Sequence, residues 1–424
     1  MMSMVVVTTT AKGAPIKIPR ESCNSIHIAA VKYMPRSPVN NEIKPDFAPS
    51  TFACMEIPRD APLLKSIPTG LFSEGEVEGV EASVRGMGEV RYAIAGDPVA
   101  HSLSPLLLGL VHARMLDLLG KKQFNLKLKN TDLVPTSTIE DALAWGYAGS
   151  VPAAPDWAYT NAPFGKFRTT GLLAKAIEAG MAVEDADERF APNGEVAVSL
   201  TARSVAVDRK LPLPTGFLSN EIWVNLTSPL KHQLSSTAVS AIDDSMGYQS
   251  VNALRWDGQG WWCAGLDGAG VVALAEHFGI SFSSHPVLSL CGGGGAARSV
   301  ASTWLDAGGQ VHVAQSRRAL PDELLARCTG SAKDAIFGVN FDPEIASAQA
   351  PLLLNAAYAS FEGDVESMLD AMQTPHLNGR WMLVAQHLSC WATLWAPHLA
   401  HILPSIDLLL TQLIHAEALL HSYA

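Results

Sequence analysis

Four short segments of this 424-residue chain carry residue types spaced for chemistry. In Val224-Asn225-Leu226-Thr227-Ser228-Pro229-Leu230-Lys231, an extended backbone would line Asn225 and Thr227 along one side, with Lys231 just beyond. A lysine in a polar cleft can donate a proton when burial or a neighbour lowers its pKa. Asn252 and the run Gly265-Leu266-Asp267-Gly268 add an amide and a carboxylate. By local spacing alone, Asp267 reads as the N-cap of the helix that follows. In Gly96-Asp97-Pro98-Val99-Ala100-His101-Ser102-Leu103-Ser104-Pro105, two serines stand at a helix start. There, hydroxyls and backbone N–H groups can face one anion, such as a carboxylate. The same Ser104 followed by a proline is also an ordinary helix N-cap.

The fourth segment is Cys291-Gly292-Gly293-Gly294-Gly295-Ala296-Ala297-Arg298. Gly292-x-Gly294-x-x-Ala297 has dinucleotide spacing and lies between an apolar strand at 287–290 and a helix at 296–307. Missing side chains let the backbone approach a pyrophosphate, whose charge meets the helix N-terminus. Four consecutive glycines would be a costly ordinary turn. The next strand, 311–313, runs into Ala314-Gln315-Ser316-Arg317-Arg318. It offers no acid for the ribose 2′-hydroxyl of NAD and two guanidiniums able to grip a 2′-phosphate. NADP is the cofactor predicted.

The elements that must hold these segments follow an α/β pattern. Tyr92-Ala93-Ile94-Ala95 is a short strand beginning at Arg91 and stopping at Gly96. Leu107, Val111, Met115 and Leu118 form a helical stripe that Gly120 can end. Phe124, Leu126 and Leu128 alternate with polar residues as a half-buried strand, and a helix follows near 137–146. The 150–220 block reads as an insertion around a helix at 171–181, with a strand at 195–207. A helix at 268–279 ends at Gly279, and Pro404-Ser405 starts a last helix lined by Ile406, Leu409, Leu410 and Leu413.

Bulk properties narrow the class. Hydrophobic residues are 48% and charged residues 17%, a globular composition. The net charge of −11 argues against a nucleic-acid-binding face, and no apolar run is long enough to span a membrane. Six cysteines without a CxxC pair read as free thiols in a reducing compartment. No metal site is expected, since the helix-spaced His398 and His401 lack further ligands. Residues 1–90 read as an irregular extension rich in Pro, Ser and Thr. Its acid-poor start is also the composition of an organelle transit peptide, although the cytoplasm is the location expected.

Taken in order, the segments resemble the shikimate dehydrogenase family from Arg91 to the C-terminus. Ala95 to Pro105 is similar to its opening signature, and Asn225 to Lys231 matches its N-x-T-x-P-x-K segment. Asn252 and Asp267-Gly268 match the later Asn and Asp-Gly, and Gly292 to Arg298 the G-x-G-G-x-x-R loop. Asn355-Ala356-Ala357 resembles the Asn-Ala-Thr turn, and Met382-Leu383-Val384-Ala385-Gln386 the C-terminal M-L-V-x-Q. The resemblance implies two α/β domains: a substrate-binding domain at 91–266 and a Rossmann-like NADP-binding domain at 267–385. Helices at 386–424 would return to the substrate domain.

The activity implied is NADPH-dependent, reversible reduction of 3-dehydroshikimate to shikimate, in a monomer or homodimer. The alternatives are a quinate/shikimate dehydrogenase, or a non-catalytic ligand sensor that kept the fold. Lys231 and Asp267 would be the catalytic pair. Ser102 and Ser104 would hold the substrate carboxylate, and Asn225, Thr227, Asn252 and Gln386 the ring hydroxyls. Gly292, Gly294, Gly295, Ala296, Arg298, Arg317 and Asn355 would bind the cofactor. The chain departs from the family at Leu108-Gly109, where His-Asn is usual, and at Gly265-Leu266, where Asn-Thr is usual. Between Asn355 and Gln386 it is too short for the family's usual strand bearing a Tyr. That strand is expected to be missing, with Tyr358 in the Asn-Ala-Thr turn.

Overall fold

The structure, a computed structural model, describes residues 88–124, 126–148, 170–183, 216–236, 238–358, 363–373 and 375–423. Nearly all of the 1–90 extension and the expected strand at 195–207 lie outside them.

The chain enters at β1 (Gly88–Gly96), which starts at Gly88 rather than Arg91, and passes into α1 (Ser104–Gln123) and β2 (Leu126–Pro135). Leu107, Val111 and Met115 are fully buried, whereas Leu118, in the last turn before a kink at Gly120 (φ 66°), is 49% exposed. Next come α2 (Ile139–Ala148) and α3 (Thr170–Met181), then β3 (Asn220–Leu226) and β4 (Val239–Ala241). β5 (Ala253–Trp256), β6 (Trp261–Ala264) and α4 (Leu266–His277) complete this half. The six strands form a mixed sheet in the order β2-β1-β3-β5-β6-β4. β1 runs parallel to β2 and β3, while β5 is antiparallel to β3 and β6.

The helix expected at 171–181 is present, and it is core rather than appendage. α3 buries Ala176 and packs on α1, where a side chain at Gly109 would collide with Ile177. The glycine that departs from the family pattern therefore makes room for a helix of the block read as an insertion.

The second half begins with β7 (Val287–Cys291), α5 (Gly295–Asp306) and β8 (Gln310–Val313). It continues through α6 (Asp322–Leu325), β9 (Ala335–Asn340), β10 (Leu352–Asn355) and α7 (Val365–Ala371). β11 (His376–Asn378), α8 (Gly379–Cys390) and α9 (Ile406–Ser422) end the chain. The sheet is wholly parallel in the order β11-β10-β9-β7-β8. With β8 on one side of β7 and β9 on the other, the strand order reverses at β7, the place where doubly wound sheets bind ligands.

Two expectations are corrected here. The strand expected to be missing exists: β10 and β11 both follow β9, each only a few residues long. Asn355-Ala356-Ala357 is not the turn beside the glycine loop. The register pairs Cys291 with Asn340, so the end of β9 occupies that place, and Asn355 lies one strand further out. Asn340-Phe341-Asp342 does not read as Asn-Ala-Thr, whereas a look-alike stands at Asn355, which is why spacing misled.

Ser405 accepts from the Leu408 N–H as the expected N-cap of α9, and Ile406, Leu409, Leu410 and Leu413 are buried. α9 packs on α1 and α3, returning the chain's end to the first sheet. After α8, a π-turn at Trp391–Trp395 stacks Trp395 on Trp223 at 5.2 Å, and Arg255 ties Leu394 O to Glu221. No helix among the described residues is long and apolar enough to cross a membrane.

Candidate active site

Lys231 lies on a 3-10 turn, Leu230–His232, reached from β3 through Thr227-Ser228-Pro229. Two hydrogen bonds fix that approach: Thr227 N–H donates to Ala95 O at 2.9 Å, and Asp97 N–H to Ser228 O at 2.8 Å. The turn packs directly on the glycine loop. A Cβ at Gly295 would stand 2.8 Å from Lys231 Cβ, so only glycine lets the lysine approach α5 so closely. Lys231 Nζ donates to Asp267 Oδ2 at 2.6 Å, with Asp267 buried and Lys231 largely so. Asp267 is therefore not a cap. The N-cap of α4 is Gly265, and Asp267 stands in the first turn, where the helix dipole favours a carboxylate.

The serines stand at the start of α1, both buried. Ser104 is the first helical residue rather than the N-cap, a place taken by Leu103 in helical geometry. Instead the Ser104 N–H donates to Ser102 Oγ at 3.3 Å.

A buried network links the remaining residues. Tyr92 Oη donates to Asn225 Oδ1 at 2.7 Å, and Asn225 Nδ2 donates to Asn252 O at 3.2 Å and to Cys390 Sγ at 3.6 Å. Gln386 Nε2 donates to the same sulfur at 3.1 Å, and Leu266 N–H donates to Asn252 Oδ1 at 2.6 Å. Cys390 therefore absorbs amide donors from both Asn225 and Gln386. Burial pushes its thiol up to about 12, so it stays neutral. Burial likewise raises Tyr92, with the nearby Cys390 adding to the effect.

Sequence reasoning missed Tyr92, Cys390 and Tyr358. A buried tyrosine on β1 demanded a polar partner, and Cys390 stands one helical turn after Gln386, so both left a signal. Tyr358 leaves β10 toward α1. Burial raises its phenol to about 12, opposed by Arg380, whose guanidinium lies 5.2 Å from the ring centroid. The backbone of Leu103, between the two serines, also lowers it.

A cavity of about 630 Å³ opens at the C-terminal ends of β7 and β9. Thr227, Lys231, His232, Gly292 to Ala297, Arg317, Arg318, Phe341 and Asp342 line parts of it. Gly292, Gly294, Gly295, Ala296 and Arg317 thus stand where a cofactor would lie, beside Lys231. Two expected cofactor residues do not line it. Arg298 braces the loop from behind, donating to Gly293 O at 3.1 Å and Gln249 Oε1 at 3.1 Å. Asn355 accepts from Asn340 at 3.1 Å on the outer strand. The deeper residues Ser102, Ser104, Asn225, Asn252 and Gln386 are buried and do not line this cavity.

A shikimate dehydrogenase (NADP(+)) found in two strains of Halobacterium salinarum is 29% identical over 201 residues, spanning 41% of this chain and 74% of that protein. This likeness supports membership of the shikimate dehydrogenase family. A family member from Methylibium petroleiphilum is 34% identical over 94 residues, 22% of this chain and 32% of that one. Among solved structures, shikimate 5-dehydrogenase from Thermus thermophilus in complex with shikimate is 21% identical. The likeness covers 77% of this chain and 99% of that one, with a TM-score of 0.41. Shikimate dehydrogenase of Mycobacterium tuberculosis is 15% identical over 76% and 98% of the two chains, with a TM-score of 0.41. No protein-family model matches the chain.

Proposed function

We propose that this shikimate dehydrogenase family member catalyses the reversible, NADPH-dependent reduction of 3-dehydroshikimate to shikimate. The observation that carries the reading is the buried Lys231–Asp267 pair, 2.6 Å apart, at the rim of a cavity whose floor is the glycine loop.

The residues present fit the cofactor. The N-terminus of α5 and the loop from Gly292 offer backbone N–H groups to a pyrophosphate, and Arg318 offers a guanidinium to a 2′-phosphate. NADPH, when bound, supplies the hydride. Reduction of the ring ketone also needs a proton at its oxygen. Lys231 delivers that proton as an ammonium, and Asp267 orients the amine. In the reverse direction Lys231 takes the proton back.

Ser102 and Ser104 at the start of α1 hold the substrate carboxylate, helped by the helix N-terminus. Asn225, Thr227, Asn252 and Gln386 bind ring hydroxyls. Gln386 gives an N–H group to Cys390, which leaves its carbonyl oxygen to accept from a hydroxyl group, while Asn225 Oδ1 accepts from Tyr92 and keeps one lone pair for a second donor.

The test is direct. The purified protein with shikimate and NADP⁺ should show rising absorbance at the NADPH band. Turnover with quinate instead would move the substrate assignment, and no turnover with either would end the enzymatic reading.

A further inference from the structure

Arg317 and Arg318 leave β8 side by side and both line the cavity, yet they are held differently. Arg317 Nε donates to Asp342 Oδ2 at 2.7 Å, and its backbone N–H reaches the same oxygen at 3.3 Å. Its Nη1 donates to Glu344 Oε2 at 3.0 Å. The hydrogen bond to Asp342 is the main cause raising the Arg317 pKa, and Glu344 adds to it. Burial works against the charge on Asp342, yet the bonds from Arg317 hold its carboxyl below the usual range. No carboxylate among the described residues pairs with Arg318.

We propose that Asp342 is a cofactor-selectivity residue. It occupies Arg317, so that a 2′-phosphate meets one available guanidinium rather than two. Two arginines with Asp342 and Glu344 carry no net charge, so a phosphate placed there is drawn by the Arg318 guanidinium while that of Arg317 is spent on the two carboxylates. The preference for NADP over NAD is therefore smaller than the pair of arginines alone would set, and the chain retains measurable use of NAD. The inference rests on reading the cavity as the dinucleotide site.

The experiment measures binding by calorimetry, independent of turnover, with adenosine 2′,5′-bisphosphate and 5′-AMP as matched probes. In the full chain, Asp342→Asn should tighten the bisphosphate about fivefold relative to 5′-AMP, the scale of one partly exposed charge contact. Glu344→Gln should act in the same direction and less. Adding Arg317→Gln to Asp342→Asn should erase the gain, because the gain acts through the freed guanidinium. Equal shifts for both probes, no shift, or a gain that survives loss of Arg317 would overturn the role of Asp342 while leaving the nucleotide site standing. Failure of the unaltered protein to bind either probe would bring down the site and the inference together. Should Asp342→Asn fail to fold, Glu344→Gln still decides, since that carboxylate is 72% exposed. An unchanged ratio there counts against the proposal.

Discussion

Lys231 and Asp267 come from different elements, a turn after β3 and the first turn of α4, and meet at 2.6 Å beside the glycine loop. Lys231→Ala should lower kcat by about two to four orders of magnitude, as loss of a positioned acid does, with a smaller effect on KM. Asp267→Asn should be similarly harmful, and the double variant scarcely worse than either single one, because the two act as a unit. Steady-state kinetics on the three proteins check this. Near-normal turnover without Lys231 would remove it from the mechanism.

The network behind the pair gives a milder prediction. Tyr92→Phe removes the donor to Asn225 Oδ1 and leaves the amide free to turn. One buried hydrogen bond at about 1 kcal/mol translates to a rise in shikimate KM of roughly fivefold, with kcat changed less. Unaltered KM would mean that Asn225 is oriented by Asn252 and Cys390 alone.

Stability should depend on a contact remote from the chemistry. Arg380 and Glu417, both buried, form two hydrogen bonds of 2.8 and 2.6 Å that join α8 to α9. Glu417→Gln leaves the guanidinium without its counter-charge and should cost about 3–5 kcal/mol in denaturant unfolding. Replacing both by apolar residues of similar size should cost far less. A loss below about 1 kcal/mol for Glu417→Gln would show that water reaches the pair.

His387 ties stability to pH. Burial pushes its pKa down to about 3, and neither ring nitrogen has a partner among the described residues; Tyr92 and Trp395 face it. In the unfolded chain it titrates near 6.5. Between those values the unfolded state binds a proton that the folded state refuses. Its contribution is fully present above about pH 6.5 and is lost as pH falls toward about 3, at up to roughly 1.4 kcal/mol per unit. His387→Leu should flatten the acid limb of a stability–pH curve measured between about pH 7 and pH 5. A limb of unchanged slope would assign the loss to other groups.

Much of this is legible in the sequence because local physics and function agree. Gly292 has a φ of 149° that favours glycine whatever surrounds it, and α9 carries both its stripe and its serine cap. The failures lie where the meaning of a residue is set by a distant partner. Asp267 has the spacing of a cap and becomes the partner of Lys231, which lies 36 residues away in the chain. Asn355 resembles a site residue in one dimension, and only strand order shows that Asn340 stands beside the loop. Arg317 reads as a free cation in one dimension, but Asp342 and Glu344, which hold it, lie beyond another strand. Strands as short as β10 and β11 leave too little periodicity to count.

The closure of α1 and α3 by α9 has a consequence for biosynthesis. Those two helices leave the ribosome well before the helix that covers them. During translation their apolar faces, Leu110 and Ala176 among them, stay uncovered, although the glycine-loop sheet can already assemble behind them. The parallel sheet is thus positioned to fold first, and the half that holds the serines waits for α9. A nascent chain halted before Ile406 would expose a sticky surface to chaperones, and α9 acts as the latch that ends that exposure.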